Sequence, residues 1–470
     1  MNADGGLADA ISFGTDGWRA TLSTFTEERV RLVGQAVATY LDESELEGPV
    51  VVGYDAREHS RGFAEELARV IAANGRNVTI ATRDCPTPVL AWTAKSGPYA
   101  GGLMVTASHN PPEYNGVKFV MSDGTPALPE VTDTLEKYLA EPTLSESFGT
   151  ITEQNLSESY RENAFAALES RLDTVADSLP SLTVHYDAMH GSGRGVTDKL
   201  LADAGITVER YRCDRDSQFG GIPPEPVPER APALIEAVES GEADLGFIND
   251  GDADRVGIVT PEHGYLDPNV VLALLYDILL ETEAGGVVRT VSTSSLVDGI
   301  AATADESVHE TAVGFKWVAA AMGGDNVLCG GEESGGYGVT SHLRNKDGVF
   351  LTLLFCTAET EQPLDDRIDA ILDAHGPIVQ DRISLDCPDD RKAGVLEALA
   401  DHLPEMVAGA AVDTVNDVDG FKIVLDDGGW LLVRPSGTEP KLRIYAEADS
   451  KARVSELLDA GEELIEPLVR

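Results

Sequence analysis

Four short runs of apolar, largely β-branched residues, PVVVGYD (49–55), GLMVT (102–106), LTVHYD (182–187) and GVVRTVS (286–292), recur at helix-sized intervals. The segments between them read as amphipathic helices, as in GFAEELARVIAANG (62–75), which stops on a glycine where a helix should end. Strands alternating with helices predict α/β layers with largely parallel sheets. The repetition of strand, polar turn and helix also hints at related units. The end of the chain reads differently: FKIVLDD, WLLVRPS and KLRIYAEA are consecutive strand-like runs before a closing amphipathic helix from Lys451. That order predicts a small antiparallel α+β domain. At 470 residues, a prior of roughly 150 residues per domain gives about three or four domains. Turn-rich stretches near 141–152, 258–268 and 374–380 place them at 1–150, 151–260, 261–373 and 374–470.

Charge narrows the choice of partners. With 81 Asp and Glu against 35 Lys and Arg, the formal net charge is -46. Such a chain repels nucleic acid and anionic membrane surfaces, so neither is expected as a partner. The acidity is dispersed and lysine is sparse, which reads as adaptation to a salty, halophilic cytoplasm, where a Debye length of about 3 Å at about 1 M salt hides surface charges from one another. The five cysteines, Cys85, Cys213, Cys329, Cys356 and Cys387, lie far apart with no CxxC pair, as buried thiols in a reducing compartment would. The N-terminus has no secretory pattern, and the most apolar stretch, 268–280, is broken by Asp277 and too short to span a bilayer. A soluble cytoplasmic protein is the expectation.

Four loops carry polar chemistry. In TASHNPPEYNGVKF (106–119), Ser108 and His109 precede Pro111 and Pro112, which forbid helix and central strand and leave Ser108 on a stiff turn. In INDGDADRVG (248–257), Asp250, Asp252 and Asp254 alternate just after an apolar strand. Three carboxylates so close call for a divalent cation with oxygen ligands, although a solvated acidic turn is the plainer alternative. Fully extended, they would stand about 7 Å apart, so the loop must curl around the ion. An EF-hand fails, because its required glycine and glutamate positions hold Arg255 and Pro261.

CGGEESGGYG (329–338) surrounds Glu332, Glu333 and Ser334 with glycines, offering acceptors and a donor suited to sugar hydroxyls. The nearby SHLRNKDG (341–348) adds His342, Arg344 and Lys346. In LLVRPSGTEPKLRIY (431–445), Arg434, Ser436, Gly437, Thr438 and Arg443 combine guanidiniums, hydroxyls and a permissive glycine amide, as a phosphate dianion requires. GSGRGV (191–196) lacks the last glycine of a dinucleotide fingerprint and no GxxxxGK[ST] occurs, so neither NAD nor ATP is implied.

Taken in order, TASHNP resembles the phosphoserine loop of the α-D-phosphohexomutase family, DGDADR its metal loop, GEESGG its sugar loop and RPSGTEP its phosphate-binding loop. FGTDGWR (13–19) is similar to the family's N-terminal active-site segment, with Arg19 as the matching arginine. The resemblance spans essentially the whole chain. It implies an α/β fold of three related α/β domains with mixed sheets plus a C-terminal α+β domain around a central cleft. It further implies that Ser108 is stored as a phosphoserine beside His109, touching a Mg2+ ion bound by Asp250, Asp252 and Asp254.

By the same resemblance, Arg19, Lys118 and Arg255 neutralise the transferring phosphoryl group. Glu332 and Ser334 grip the sugar, and Arg434, Ser436, Gly437, Thr438 and Arg443 anchor the other phosphate. The implied reaction interconverts hexose 1-phosphates and 6-phosphates of glucose or mannose through a bisphosphate. A hexose bisphosphate serves as the activating phosphoryl donor, and the enzyme is a monomer or small homo-oligomer. Phosphoglucosamine mutase and sugar phosphatase are the competing activities. Ala253 replaces a glycine common in the metal loop, which is harmless if its φ is negative. Gly336 stands where several relatives carry a histidine that can act as acid or base, shifting that role to Lys346 or His342. In VGFKWV (313–318), Lys316 falls in the loop that reads the hexose face.

Overall fold

The computed structural model describes residues 6–14, 17–145, 147–437 and 439–469, arranged on four sheets. The first three repeat one plan. In the first, Val50–Tyr54 is flanked by Val78–Ala81 and Gly101–Val105, all parallel, and Tyr114–Met121 returns antiparallel beside Gly101–Val105. In the second, Thr183–Asp187 lies between Thr207–Tyr211 and Leu245–Asn249, with Val256–Thr260 returning antiparallel. In the third, Gly286–Thr290 lies between Val308–Thr311 and Val327–Gly331, and Tyr337–Val339 returns. Three parallel strands with helical crossovers, closed by one hairpin, form the repeated unit.

The apolar runs read from the sequence are the buried parallel strands of these sheets, and the helix read at 62–75 spans Ser60–Ala73, with Gly75 at φ +92 just beyond it. Strand membership extends the first two units past the expected boundaries at 150 and 260. Ile151–Gln154 pairs in parallel with Val78–Ala81 in the first sheet, and Gly264–Tyr265 pairs with Val256–Thr260 in the second. The fourth sheet is wholly antiparallel, from Val379–Asp386 through Lys441–Ala448, Trp430–Pro435, Phe421–Leu425 and Ala410–Asn416 to Met406–Val407, with Lys451–Val469 as the closing helix.

The first three units share one continuous apolar core running from Ile11 to Ile371, whereas the fourth packs a core of its own around Ile423, Leu431, Val433 and Ile444. A smaller cluster of Val291, Trp430, Leu432 and Tyr445 joins the third and fourth. No helix among the described residues is long and apolar enough to cross a membrane.

This plan positions the chemistry. The loops 106–113, 250–255 and 332–336 occupy the same place in the three related units, the hairpin between the last parallel strand and its antiparallel return. The loop 436–440 is likewise the hairpin between Trp430–Pro435 and Lys441–Ala448.

Candidate active site

Ser108 is buried with φ +52, a left-handed conformation rare for a residue with a Cβ. The cause lies beneath its loop. The Arg57 guanidinium, itself fully buried, donates to the carbonyls of Ser108 (2.5 Å), Asn110 (2.7 Å), Pro111 (2.7 Å) and Tyr114 (3.2 Å). Asp55 balances its charge at 2.9 Å and accepts the hydroxyls of Ser60 and Thr106. Thr106 Oγ1 in turn accepts the Ser108 amide at 2.8 Å. With its carbonyls gathered on the buried side, the turn directs the serine hydroxyl the other way, where it donates to Asp250 Oδ2 at 2.7 Å. His109 Nδ1 lies 3.4 Å from the same hydroxyl. The Arg255 guanidinium, then burial, then Arg19 hold the His109 imidazole well below its usual range, so it is neutral at pH 7. Arg19 Nη1 donates to Asn110 Oδ1 at 3.3 Å, tying the N-terminal strand to this loop.

Asp250, Asp252 and Asp254 are buried and converge, with one oxygen from each within 4.8 Å of the others. Their outer oxygens are taken. Asp250 Oδ1 accepts the Arg255 amide at 3.1 Å, Asp252 Oδ2 accepts Thr87 Oγ1 at 2.6 Å and Lys118 Nζ at 3.0 Å, and Asp254 Oδ2 faces Lys118 and Lys346, each at 2.9 Å. Asp252 Oδ1 is buried with no hydrogen-bond partner. An orphaned buried acceptor is costly, and a divalent cation among the three converging carboxylates relieves that cost, so these residues fit a metal with oxygen ligands. Burial first, then the charges of Asp252 and Asp254, hold the Asp250 carboxyl well above the usual carboxylate range. Asp252 is depressed despite its burial, chiefly by Lys118 and the Thr87 hydroxyl.

The third hairpin is joined to the second by Arg255. Its Nη1 donates to Ser334 O at 3.2 Å, and its Nε is buried without a partner, as a donor awaiting an anion would be. Glu332 Oε1 accepts the Gly314 amide at 3.0 Å, and Glu332 Oε2 lies 3.4 Å from the Ser334 hydroxyl. Glu333 instead accepts Thr290 Oγ1 at 3.2 Å, inside its own unit. Gly314 precedes the helix Phe315–Ala321, so the Glu332 contact fixes the entry of the helix that carries Lys316, whose Nζ lies 5.8 Å from the Trp317 ring.

At Gly336, a Cβ would fall 2.4 Å from Lys346 Cδ, so the missing side chain is what admits Lys346 to Asp254. His342 makes its contacts outside this cluster. Its Nε2 pairs with Asp347 Oδ2 at 3.0 Å, and its ring stacks on Phe350 with centroids 4.0 Å apart. Asp347 caps the helix Gly348–Glu361 and also accepts the Tyr160 hydroxyl, so His342 serves a buried structural network.

In the fourth hairpin, Arg434 and Arg443 stand directly opposite in the ladder. Like charges so placed repel, and each is held by a carboxylate, Arg434 by Asp419 at 2.9 Å and Arg443 by Glu439 at 2.8 Å. Lys392 Nζ donates to the carbonyls of Ser436 and Glu439, each at 2.6 Å, the same device as Arg57 under the first loop. Gly437 is exposed at the turn, and Thr438 lies outside the described residues. Asp419 also accepts the Val313 amide at 3.1 Å. The contacts therefore run from Ser108 through Asp250, Arg255, Ser334 and Glu332 to the Gly314 amide, and from the adjoining Val313 amide to Asp419 and Arg434.

Sequence reasoning passed over Arg57, Thr87, Lys392 and Asp419. For Arg57 a signal existed, since an acid and an arginine two apart follow the buried strand in YDARE (54–58). The other three are marked only by contacts distant in sequence.

Family models described as phosphoglucomutase/phosphomannomutase match along the whole length: alpha/beta/alpha domain I at 10–146, domain II at 162–264, domain III at 267–375 and the C-terminal domain at 383–463. A protein of Methanopyrus kandleri named "Probable phosphoglucosamine mutase" is 34% identical over 455 residues, covering 95% of this chain and 96% of that one. The "Phosphoglucomutase/phosphomannomutase" of Thermococcus kodakarensis is 32% identical, covering 97% and 99%. A Burkholderia thailandensis phosphoglucomutase/phosphomannomutase family protein shares the fold, with a TM-score of 0.84 at 19% identity over 98% of each chain. With the four hairpin loops, the repeated sheet plan and these matches together, the chain belongs to the α-D-phosphohexomutase superfamily, a superfamily of isomerases.

Proposed function

We propose that the enzyme interconverts glucose 1-phosphate and mannose 1-phosphate with their 6-phosphates through a phosphoserine at Ser108 and a hexose bisphosphate. The observation that carries this reading is the 2.7 Å contact between Ser108 Oγ and Asp250, inside a cluster of three buried carboxylates and two lysines. Mg2+ held by Asp250, Asp252, Asp254 and an oxygen of the Ser108 phosphate would neutralise charge on the transferring group. In the first half-reaction a free sugar hydroxyl oxygen bonds to phosphorus as the bond to Ser108 Oγ breaks; after the bisphosphate turns over in the cleft, Ser108 Oγ bonds to the other phosphorus as its ester bond to the sugar breaks, which restores the phosphoserine. Arg19, Arg255 and Lys118 surround the group in transit, and His109 lies beside the serine oxygen. Lys346 is the residue assigned to move the hydroxyl proton, since Gly336 gives it access that His342 lacks.

Arg434, Ser436, Gly437, Thr438 and Arg443 anchor the resting phosphate, and Glu332, Ser334 and Lys316 read the sugar. The substrate choice rests on Lys316, whose cation disfavours the ammonium of a glucosamine phosphate by like-charge repulsion. The name of the Methanopyrus kandleri relative favours a second reading, glucosamine phosphate, and a Thermococcus kodakarensis "Phosphopentomutase" is 30% identical, so identity alone does not rank substrates. Specificity constants with Mg2+ and a panel of sugar 1-phosphates decide the matter. Glucose and mannose 1-phosphates are expected ahead of glucosamine 1-phosphate, and the opposite order replaces this reading with the second.

A further inference from the structure

Asp252 is gripped from another unit. Thr87 opens the helix Thr87–Ser96 of the first unit, yet its amide donates to Asp252 O at 2.9 Å and its hydroxyl to Asp252 Oδ2 at 2.6 Å. Thr87 is only 3% exposed, so water does not compete for these bonds. Both donors to the carboxylate, Thr87 and Lys118, use Oδ2, and Oδ1 is left without a partner. A carboxylate fixed through one oxygen presents the other at a set angle, as hydrogen-bonded metal ligands do.

A second contact holds the same pair of loops. Asp84, three residues before Thr87, receives both arms of the Arg194 guanidinium, at 2.6 and 2.9 Å, with both residues nearly buried. Arg194 belongs to GSGRGV (191–196), the glycine-rich motif that no nucleotide explains. That loop lies directly against the aspartate hairpin: the Ser192 amide donates to Gly251 O at 2.9 Å, and a Cβ on Gly191 would stand 2.8 Å from the same oxygen. Residues 84–87 therefore hold the aspartate hairpin directly at Asp252 and, through Arg194, at Gly251. Pro86 stiffens the span between the two grips.

We propose that Asp84–Thr87 is a positioning element for the metal loop, in which the Thr87 hydroxyl orients Asp252 and makes divalent-cation affinity depend on docking of the first unit against the second. The proposal rests on the metal reading above. It is tested by calorimetric titration of the whole protein with Mg2+, comparing wild type, Thr87→Val and Thr87→Ser. Thr87→Val is expected to weaken Mg2+ binding about 10-fold or more, and Thr87→Ser to stay within about 2-fold of wild type. Thr87→Val should recover most of its turnover at saturating Mg2+, and its thermal midpoint in chelator should lie within about 4 °C of wild type. Unchanged affinity in Thr87→Val, or equal weakening in both variants, overturns the proposal. A wild type that binds no Mg2+ overturns the metal reading beneath it.

Discussion

At Ala253 the sequence invites the wrong conclusion. A methyl group in place of the glycine common in the metal loop is harmless at negative φ, but the residue sits at φ +52 and is fully buried. Left-handed backbone costs an L-residue about 1–2 kcal/mol, while glycine loses about 0.4–1 kcal/mol through its freer unfolded chain, so the two nearly offset. Ala253→Gly is therefore expected within about 1 kcal/mol of wild type in urea unfolding, whereas Ala253→Val, β-branched at positive φ, should lose about 2 kcal/mol or more. Equal stability of the valine variant would show that the turn relaxes to negative φ. Ser108 is strained in the same sense, and its strain is held by Arg57, which draws four carbonyls of the loop inward.

The secondary-structure elements were legible wherever pattern and chemistry coincide. Buried parallel strands announce themselves as apolar runs, and in the first three units the chemical motif occupies the hairpin after the last parallel strand, where the unit opens to the site. What stayed hidden depends on contacts far apart in the chain. Arg57 reaches residues more than 50 positions away and Thr87 a residue 165 positions away; YDARE marks Arg57 itself, but no local pattern encodes the partners of either. His342 and Lys346 lie in one short run, yet the loop turns the first into the network of Asp347 and Tyr160 and the second toward Asp254.

The helix Gly348–Glu361 offers a test at this scale. Burial, against a hydrogen bond from the Leu364 amide at 2.7 Å, pushes the Glu359 carboxyl up to about 7 from an ordinary 4.5. The folded state thus keeps a proton that the unfolded chain releases near pH 4.5, so this group favours folding at low pH and that contribution is lost as pH rises toward 7. Glu359→Gln, which retains the acceptor for Leu364, should gain on the order of 2 kcal/mol relative to wild type between about pH 5 and pH 8. A stability difference that does not change with pH contradicts this.

For the whole molecule, a formal charge of -46 sets surface repulsion against a continuous core across three units and a separate one in the fourth. Screening shortens the reach of exposed charges to about 3 Å at about 1 M salt but acts much less on buried pairs such as Arg57 with Asp55. Stability and turnover are therefore expected to rise together as KCl is raised toward about 1 M, with the loops themselves unaffected. A protein most stable in dilute buffer would refute the salt-adapted reading.

The central claim is that Ser108 carries the phosphoryl group and returns it to sugar. Its most direct test is to load the protein with radiolabelled hexose 1,6-bisphosphate, map the label by peptide mass, and chase with unlabelled glucose 1-phosphate and Mg2+. One labelled phosphate is expected on the peptide containing Ser108, none on Ser108→Ala, and transfer of the label to hexose phosphate during the chase. Label released as inorganic phosphate, or residing on another residue, would contradict it.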